Sequence, residues 1–153
     1  MEIRLKVNGR SYVFDVPPRM LLAHLLRDRL GIRSVRIGCD TGHCGACTVL
    51  LNGEPVKSCN VFAFMADGGE VVTLEGLNDR LAAALKRAFV EEHALQCGYC
   101  TSGMIVSLYG LLKDGRQTSE GEIRRAIRGN LCRCTGYTSI VRAAVRAQRY
   151  VSS

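Results

Sequence analysis

The chain has 153 residues, of which 47% are hydrophobic and 23% are charged, and its formal net charge is +7. This composition is that of a globular protein with one compact domain or two small ones. The positive charge does not indicate nucleic-acid binding, because the arginines are spread along helical patterns without a basic block or interleaved aromatic residues. The longest apolar run, around residues 104–112, is too short to span a membrane.

Cysteine is unusually frequent, with eight residues in the chain. The N-terminus, Met1-Glu2-Ile3-Arg4, has charges scattered through it and lacks the apolar core of an export signal. We therefore expect a cytoplasmic protein, in which cysteines serve as metal ligands or redox groups rather than as disulfides. If the chain divides in half, each part has roughly 70–80 residues, a size at which a domain usually needs a staple such as a metal.

The first half has the pattern of a small sheet with a helix. Apolar and charged residues alternate over residues 3–7, which predicts a half-buried strand. Asn8-Gly9 predicts a tight hairpin leading to a partner strand over residues 10–16. Leucines at helical spacing then predict a helix over residues 20–30. Two strands followed by a helix are typical of the start of an α+β domain.

A loop with three cysteines and three glycines occupies residues 38–47, a composition that suits neither a helix nor a strand. Its spacing, C-x4-C-x2-C, is the pattern of plant-type 2Fe–2S ferredoxins. The glycines allow the loop to fold tightly around a cluster and bring backbone N–H groups close to its sulfurs. Cys39, Cys44, Cys47 and the later Cys59 therefore form one candidate metal site.

Short strands are expected after this loop. Residues 48–51 and 71–74 have strand patterns, and Asn52-Gly53 is a second hairpin signal. The hydrophobic pattern then changes from a period of two to a period of 3.6 residues. We place a domain boundary at this change, within residues 76–79.

The second half has the pattern of four helices. Ser119 with Glu122 forms a capping box at the start of the third helix, and Gly129 ends that helix. The apolar faces that define the four helices fall around residues 81–89, 104–112, 123–127 and 141–145.

Two turns between these helices carry cysteine pairs, Cys97 with Cys100 and Cys132 with Cys134. We interpret the four thiols as a second metal site that ties two helical hairpins together. Spacing alone leaves three chemistries open. The first loop favours iron–sulfur clusters, whereas four thiolates in a tetrahedral set suit zinc equally well. A dithiol redox site would leave the other six cysteines unexplained and lacks the expected βαβ surroundings.

The three histidines are weaker candidates. His43 lies inside the first loop, where cysteines fill every ligand position, so we expect it to be a solvated loop residue. His24 and His93 stand alone and are expected to be structural. The sequence shows no phosphate-binding loop, nucleophile–base pair or paired carboxylates in a recognisable motif. We therefore assign no catalytic residue to this chain.

Together, the two cysteine sets resemble the small iron–sulfur subunit of the molybdenum hydroxylases, the xanthine oxidase family. The matching segments are residues 38–49, 57–59, 96–104 and 130–137, which span nearly the whole chain. Eight ligands in this order and spacing are very specific, and they favour iron–sulfur over zinc. Ser102 stands where many relatives have proline, a departure that is not expected to disturb ligation because Ser102 is no ligand.

The resemblance implies an α+β fold with two domains. A plant-ferredoxin-like β-grasp domain would span residues 1–76, and a C-terminal four-helix iron–sulfur domain would span residues 77–153. Each would hold one 2Fe–2S cluster. The implied ligands are Cys39, Cys44, Cys47 and Cys59 for the first cluster, and Cys97, Cys100, Cys132 and Cys134 for the second.

The resemblance also implies partner subunits. The second cluster would lie beside the molybdopterin cofactor (a cytosine dinucleotide) of a large subunit, with Gln96 and Cys134 contacting the pterin. The first cluster would pass electrons to FAD in a medium subunit, within a dimer of heterotrimers. The chain would thus relay single electrons while the complex hydroxylates an aldehyde, an N-heterocycle or carbon monoxide. A freestanding two-cluster ferredoxin and a zinc-stapled interaction module are the alternatives.

Overall fold

A computed structural model describes all residues, 1–153. Its N-terminal half contains one sheet of five strands, in the order β2-β1-β5-β3-β4. The β1–β5 pair is parallel and the other pairs are antiparallel. The strands are β1 (Glu2–Val7), β2 (Arg10–Asp15), β3 (Thr48–Leu51), β4 (Glu54–Lys57) and β5 (Glu70–Val72).

Both predicted hairpins are confirmed. Asn8 and Gly9 adopt φ of 49° and 83° between β1 and β2, and Asn52 and Gly53 adopt φ of 50° and 85° between β3 and β4. Two successive residues with positive φ match the twist of the flanking strands, which is why Asn-Gly predicts this turn well.

The helix expected over residues 20–30 differs in its winding. The chain forms a short α1 (Leu22–His24) and then a wider π-helical turn over Leu25–Arg29. Gly31, with φ of 67°, follows its end as predicted. In this winding Leu25 and Leu26 are both fully buried in the core beneath the sheet. The leucine spacing predicted the buried face but not the local widening of the helix.

The last strand is shorter than the predicted residues 71–74. It ends at Val72 because the Asn8 side chain replaces a strand partner at Thr73. Asn8 Oδ1 accepts a hydrogen bond from Thr73 N at 2.8 Å, and Asn8 Nδ2 donates to Thr73 Oγ1 at 2.9 Å. A single turn of 3-10 helix, Leu74–Gly76, then leads toward the helical half.

The C-terminal half contains the four predicted helices. Ser119 and Glu122 form the expected capping box, with both side chains bonded to backbone N–H groups. The helices are α2 (Arg80–Glu91), α3 (Thr101–Leu112), α4 (Glu120–Ala126) and α5 (Thr138–Ser152).

Each half has its own hydrophobic core. Ile3, Leu5 and Val7 of β1 contribute to the first, and the inward faces of α2, α3, α4 and α5 form the second. A smaller buried group of Leu50, Leu77, Ala82 and Val106 joins the sheet to α2 and α3. The fold class expected from the sequence, a β-grasp sheet domain followed by a four-helix unit, is confirmed. None of the helices combines the length and apolar character needed to cross a membrane.

Candidate metal centres

The first cysteine loop, residues 38–47, curls tightly because several of its residues have left-handed backbone. Asp40, Gly42 and Gly45 have φ of 55°, 76° and 74°. Glycine adopts this conformation without steric cost, as expected for two of the glycines of the loop, Gly42 and Gly45. The curl turns successive N–H groups toward the inside of the loop.

Cys39 Sγ is the focus of those N–H groups. It accepts hydrogen bonds from the backbone nitrogens of Thr41, His43 and Cys44, at 3.4, 3.3 and 3.3 Å. The N–H groups of Cys44 and Thr41 lower the pKa of Cys39 to about 5. Donors of this kind favour the thiolate, which is the form that binds metal.

Cys47 and Cys59 lie deeper in the same region. Both are buried, and Cys59 N donates to Cys47 Sγ at 3.5 Å. Cys59 lies on a single 3-10 turn, Ser58–Asn60, directly after β4, and Ser58 Oγ anchors that turn to the Cys47 carbonyl at 2.7 Å. Burial raises the pKa of Cys59 to about 12, and the neighbouring Cys47 thiol adds to the rise.

The second cysteine set lies on two turns of the helical half. Cys97 and Cys100 precede α3, and Cys132 and Cys134 lie between the end of α4 and the start of α5. The fold brings these turns together, so that Cys134 Sγ lies 3.5 Å from Cys97 Sγ. One thiol of each predicted pair is therefore close to the other pair, and the grouping of all four thiols into one metal site stays a prediction.

Polar groups surround the second set as well. Tyr99 N donates to Cys97 Sγ at 3.5 Å and lowers the pKa of Cys97. Burial opposes ionisation of Cys132, but hydrogen bonds from the Thr135 hydroxyl, 3.1 Å from Cys132 Sγ, and from the backbone N–H groups of Thr135 and Cys134 together lower its pKa. Cys100 is different, because burial, reinforced by the adjacent Cys132 thiol, raises its pKa to about 12.

Six of the eight thiols lie beside another thiol. Cys97 lies beside Cys134, Cys100 beside Cys132, and Cys47 beside Cys59. No three His, Cys, Asp or Glu side chains are drawn together closely enough to hold one metal ion. A cluster with two irons and four thiolates needs two ligands at each iron, an arrangement that paired thiols can provide.

The two thiol-bearing regions touch through their backbones. Leu131 N donates to the Cys44 carbonyl at 2.8 Å, and the buried Asn130 donates from Nδ2 to the Gly45 carbonyl at 3.1 Å. A Cβ atom added at Gly45 would lie 2.3 Å from the Gly129 carbonyl oxygen, so only glycine permits this approach.

A second set of contacts joins residues 34–37 to the start of α3. Ser102 Oγ donates to the Ser34 carbonyl at 2.6 Å, and Tyr99 Oη donates to the Ile37 carbonyl at 2.9 Å. The sequence indicated only that Ser102 is no ligand, and it gave no separate role to Asn130. Both act across the interface between the halves, where no local pattern indicates a partner.

Gln96 and the three histidines are placed as follows. Gln96 is exposed, next to Cys97. His43 is also exposed, with Nδ1 2.9 Å from Thr41 Oγ1. His24 lies 3.5 Å from both Asp28 and Asp40, and His93 is an exposed residue with φ of 50° just after α2.

The residues present fit thiolate-bound clusters. Each set supplies four thiols, and N–H or O–H donors already point at Cys39, Cys97 and Cys132. Thr101 Oγ1, beside Cys100, is buried without a hydrogen-bond partner in the protein, which leaves it able to donate to a sulfur atom. Hydrogen bonds to the sulfurs are a general feature of iron–sulfur sites.

Comparison with known proteins gives two family matches that together cover most of the chain. Residues 5–75 match the 2Fe-2S iron-sulfur cluster binding domain, and residues 73–145 match the 2Fe-2S binding domain.

Curated relatives extend these matches. The chain is 48% identical to the 6-hydroxypseudooxynicotine dehydrogenase complex subunit beta of Paenarthrobacter nicotinovorans, covering 95% of this chain and 92% of that protein. It is 46% identical to the nicotinate dehydrogenase small FeS subunit of Eubacterium barkeri, covering 94% and 92%. It is 38% identical to the aldehyde oxidoreductase iron-sulfur-binding subunit PaoA of Escherichia coli K12, covering 100% and 74%.

Solved structures show the same fold. A chain of quinoline 2-oxidoreductase from Pseudomonas putida 86 superposes with a TM-score of 0.90 and 40% identity, covering 100% of this chain and 97% of that one. The aldehyde oxidoreductase of Desulfovibrio gigas gives a TM-score of 0.91 at 35% identity, covering 99% of this chain and 17% of the larger protein. Fold, cysteine arrangement and similarity agree, and the chain belongs to the family of small 2Fe–2S iron–sulfur subunits of the molybdenum hydroxylases.

Proposed function

We propose that this chain is the electron-transfer subunit of a multi-subunit molybdenum hydroxylase. In this role it relays single electrons from a molybdopterin centre in a large subunit toward FAD or another acceptor. When bound, each 2Fe–2S cluster supplies a one-electron couple, so two of them can divide the electron pair released by substrate hydroxylation. The chain itself carries out no substrate chemistry.

The proposed ligands divide by domain. Residues 1–76 form the domain of the first cluster, and residues 77–153 form the domain of the second. The separate hydrophobic cores of the two halves support this division. The proposed ligands are Cys39, Cys44, Cys47 and Cys59 in the first domain and Cys97, Cys100, Cys132 and Cys134 in the second.

The single observation that carries the proposal is the hydrogen bond between the two ligand regions. Leu131 N donates to the Cys44 carbonyl at 2.8 Å, and Leu131 precedes Cys132 directly in the chain. A proposed ligand of one cluster is therefore separated from a proposed ligand of the other by one hydrogen bond and a short stretch of backbone. Two isolated structural sites would need no such link, whereas an electron relay benefits from it.

The two sites differ in their exposure to solvent. Burial of Cys47 and Cys59 keeps water from the inner side of the first site. At the second site, Cys97 and Gln96 are exposed, and two large apolar side chains next to the ligands, Leu95 and Leu131, are 40% and 54% exposed. An exposed apolar surface beside a redox site suits docking of a partner.

We assign that surface to the large molybdopterin-binding subunit, with Gln96 and Cys134 contacting a molybdopterin cytosine dinucleotide. A medium FAD-binding subunit would accept electrons from the first cluster, and the complex would assemble as a dimer of heterotrimers in the cytoplasm. Support comes from relatives named as subunits of dehydrogenase complexes. The substrate would be an aldehyde, an N-heterocycle or carbon monoxide, since the relatives include aldehyde oxidoreductase and nicotinate dehydrogenase subunits.

Purification of the native complex tests this proposal. We expect the chain to elute with a large molybdenum-containing subunit and to retain about four irons per copy. Reduction of the complex by its substrate should bleach the visible absorption of both clusters. A chain that binds iron but elutes alone under all conditions would instead be a freestanding two-cluster ferredoxin.

A further inference from the structure

A cavity of about 600 Å³ opens at the junction between the two halves of the molecule. It borders both cysteine regions, because Tyr99 lies between Cys97 and Cys100 and Arg36 lies three residues before Cys39. Its lining consists of Arg27, Gly31, Ile32, Arg33, Arg36 and Tyr99.

The three arginines that line this cavity form no salt bridge with a carboxylate of the protein. The lining contains no carboxylate, and the ion pairs of this chain involve other basic residues. Arg27 donates to the Val35 carbonyl, whereas Arg33 is exposed and makes no hydrogen bond through its side chain. Like charges that line one cavity repel one another, and an anion in the cavity would relieve that repulsion.

Arg36 is fixed in place by the helical half. Its guanidinium donates to the Gly98 carbonyl and lies 5.3 Å from the centre of the Tyr99 ring. These contacts use some of the guanidinium N–H donors of Arg36 and orient its other N–H groups. A pre-oriented guanidinium loses little side-chain entropy when it binds a carboxylate, so the site is organised before a ligand arrives.

We propose that this arginine cavity receives a carboxylate-bearing segment of a partner subunit. The inference rests on the proposed function, because it needs a partner complex. The cavity is open to solvent and spreads three charged groups over a broad surface, which suits an acidic side chain projecting from another protein. Arginine forms bidentate pairs with carboxylates and is enriched at protein interfaces. Docking here would hold the partner beside both cluster-binding loops.

Cross-linking in the native complex tests the proposal. Arg33→Lys keeps the charge and adds a primary amine, which a zero-length carbodiimide reagent couples to any contacting carboxylate. We expect mass spectrometry to locate a cross-link between position 33 and an Asp or Glu of a co-purified subunit. Arg142→Lys, on the exposed face of α5, is the matched control and should give none. No cross-link from position 33, or equal yields from both positions, would overturn the proposal.

Charge reversal gives an independent readout. Arg33→Glu should slow reassociation of the complex by about tenfold at low ionic strength, and added salt should shrink the difference. Arg142→Glu, with the same change in net charge, should leave the rate near that of the unmodified chain.

A small-anion site would give a different result. In that case the isolated cluster-loaded chain would bind inorganic phosphate saturably, and Arg33→Glu would abolish this binding while complex assembly is unaffected. If no complex exists at all, the proposed function fails rather than this inference alone.

Discussion

The thiols of this chain differ in the groups that set their protonation. Backbone N–H groups lower the pKa of Cys39 to about 5, while burial raises the pKa of Cys59 and of Cys100 to about 12. Metal binding requires the thiolate form. Hydrogen-bond donors therefore prepare Cys39 for ligation, whereas the thiols of Cys59 and Cys100 must release protons when metal is loaded.

Cys100→Ala tests the assignment of ligands to two separate clusters. Removal of this thiol should eliminate the cluster of the helical half and lower the thermal stability of that half, because the thiolates cross-link its two turns. The first cluster should persist, so EPR of the reduced chain should lose one of two signals. Cys39→Ala is the reciprocal variant and should remove the other signal. Loss of both signals in each variant would contradict independent sites.

Gln96→Ala tests whether Gln96 contacts the large subunit without contributing to cluster binding. The side chain is exposed beside Cys97, so its truncation should leave the absorption spectrum and iron content unchanged. Association with the large subunit should weaken, measured as the fraction of chain that remains in the complex on dilution. A variant whose clusters are bleached would show that the role proposed for Gln96 is wrong.

At the scale of elements, close packing of α3 on the first cysteine loop sets the contact between the two halves. A Cβ atom added at Gly103 would lie 2.2 Å from the Gly45 carbonyl oxygen and 3.1 Å from Ala46 Cα. These are backbone atoms of the loop that bears Cys44 and Cys47, so relief of the clash would have to move the cluster-binding loop itself.

Gly103→Ala should therefore destabilise the protein although alanine favours helices. The helix gains about 0.5–1 kcal/mol from the substitution, whereas overpacking costs about 1–3 kcal/mol. We expect a net loss in the free energy of unfolding, measured by denaturant titration, and a perturbed EPR signal of the first cluster. Gly121→Ala in α4 is the control, since its nearest atom lies 3.7 Å away, and it should be neutral or stabilising.

The capping box of α4 predicts that the stability of the protein depends on pH. Hydrogen bonds from the Ser119 backbone and hydroxyl, with help from Arg116, lower the pKa of Glu122 from 4.5 to about 2. A carboxyl group with a lowered pKa in the folded state contributes stability above its unfolded pKa and loses it as pH falls through the folded pKa. Stability should thus fall between pH 4.5 and about 2 partly through this group.

Glu122→Gln is the variant that isolates this contribution. It should be less stable than the unmodified chain at neutral pH, and the difference between the two should shrink as the pH is lowered through that window. Urea midpoints at a series of pH values would measure it. A difference that stays constant with pH would show that the carboxylate charge of Glu122 does not contribute.

Local sequence patterns predicted much of the secondary structure but few of the contacts between distant parts of the chain. Asn8-Gly9, Asn52-Gly53 and the Ser119–Glu122 box each carry their structural signal within a few residues, and the structure confirms all three. The early end of β5 was not predictable in this way, because it depends on Asn8 meeting Thr73 across 65 positions of sequence.

The same distinction holds at the candidate site. The spacing of the cysteines identified two candidate thiol sets, and the fold brings thiols of each set close together. The bond from Leu131 to Cys44 and the bond from Ser102 to Ser34 join distant parts of the chain, and neither residue type indicates a partner on its own. The relay path and the arginine cavity are therefore properties of the folded molecule.

For the molecule as a whole, the two halves act as one unit. The loop of the first site and the turns of the second are joined by backbone bonds, a buried asparagine and glycine contacts with no space for a side chain. This construction holds both thiol sets in a fixed relation, which a chain carrying electrons between two centres requires. The surface left exposed around them is available to partner subunits.

The most direct test of the central claim is the EPR spectrum of the purified, reduced chain, together with its iron and zinc content. Two 2Fe–2S clusters predict a red-brown protein with about four irons and two distinct S = 1/2 signals. A colourless protein with about two zincs, which also fails to take up iron and sulfide on reconstitution, would contradict electron transfer and leave a zinc-stapled structural module.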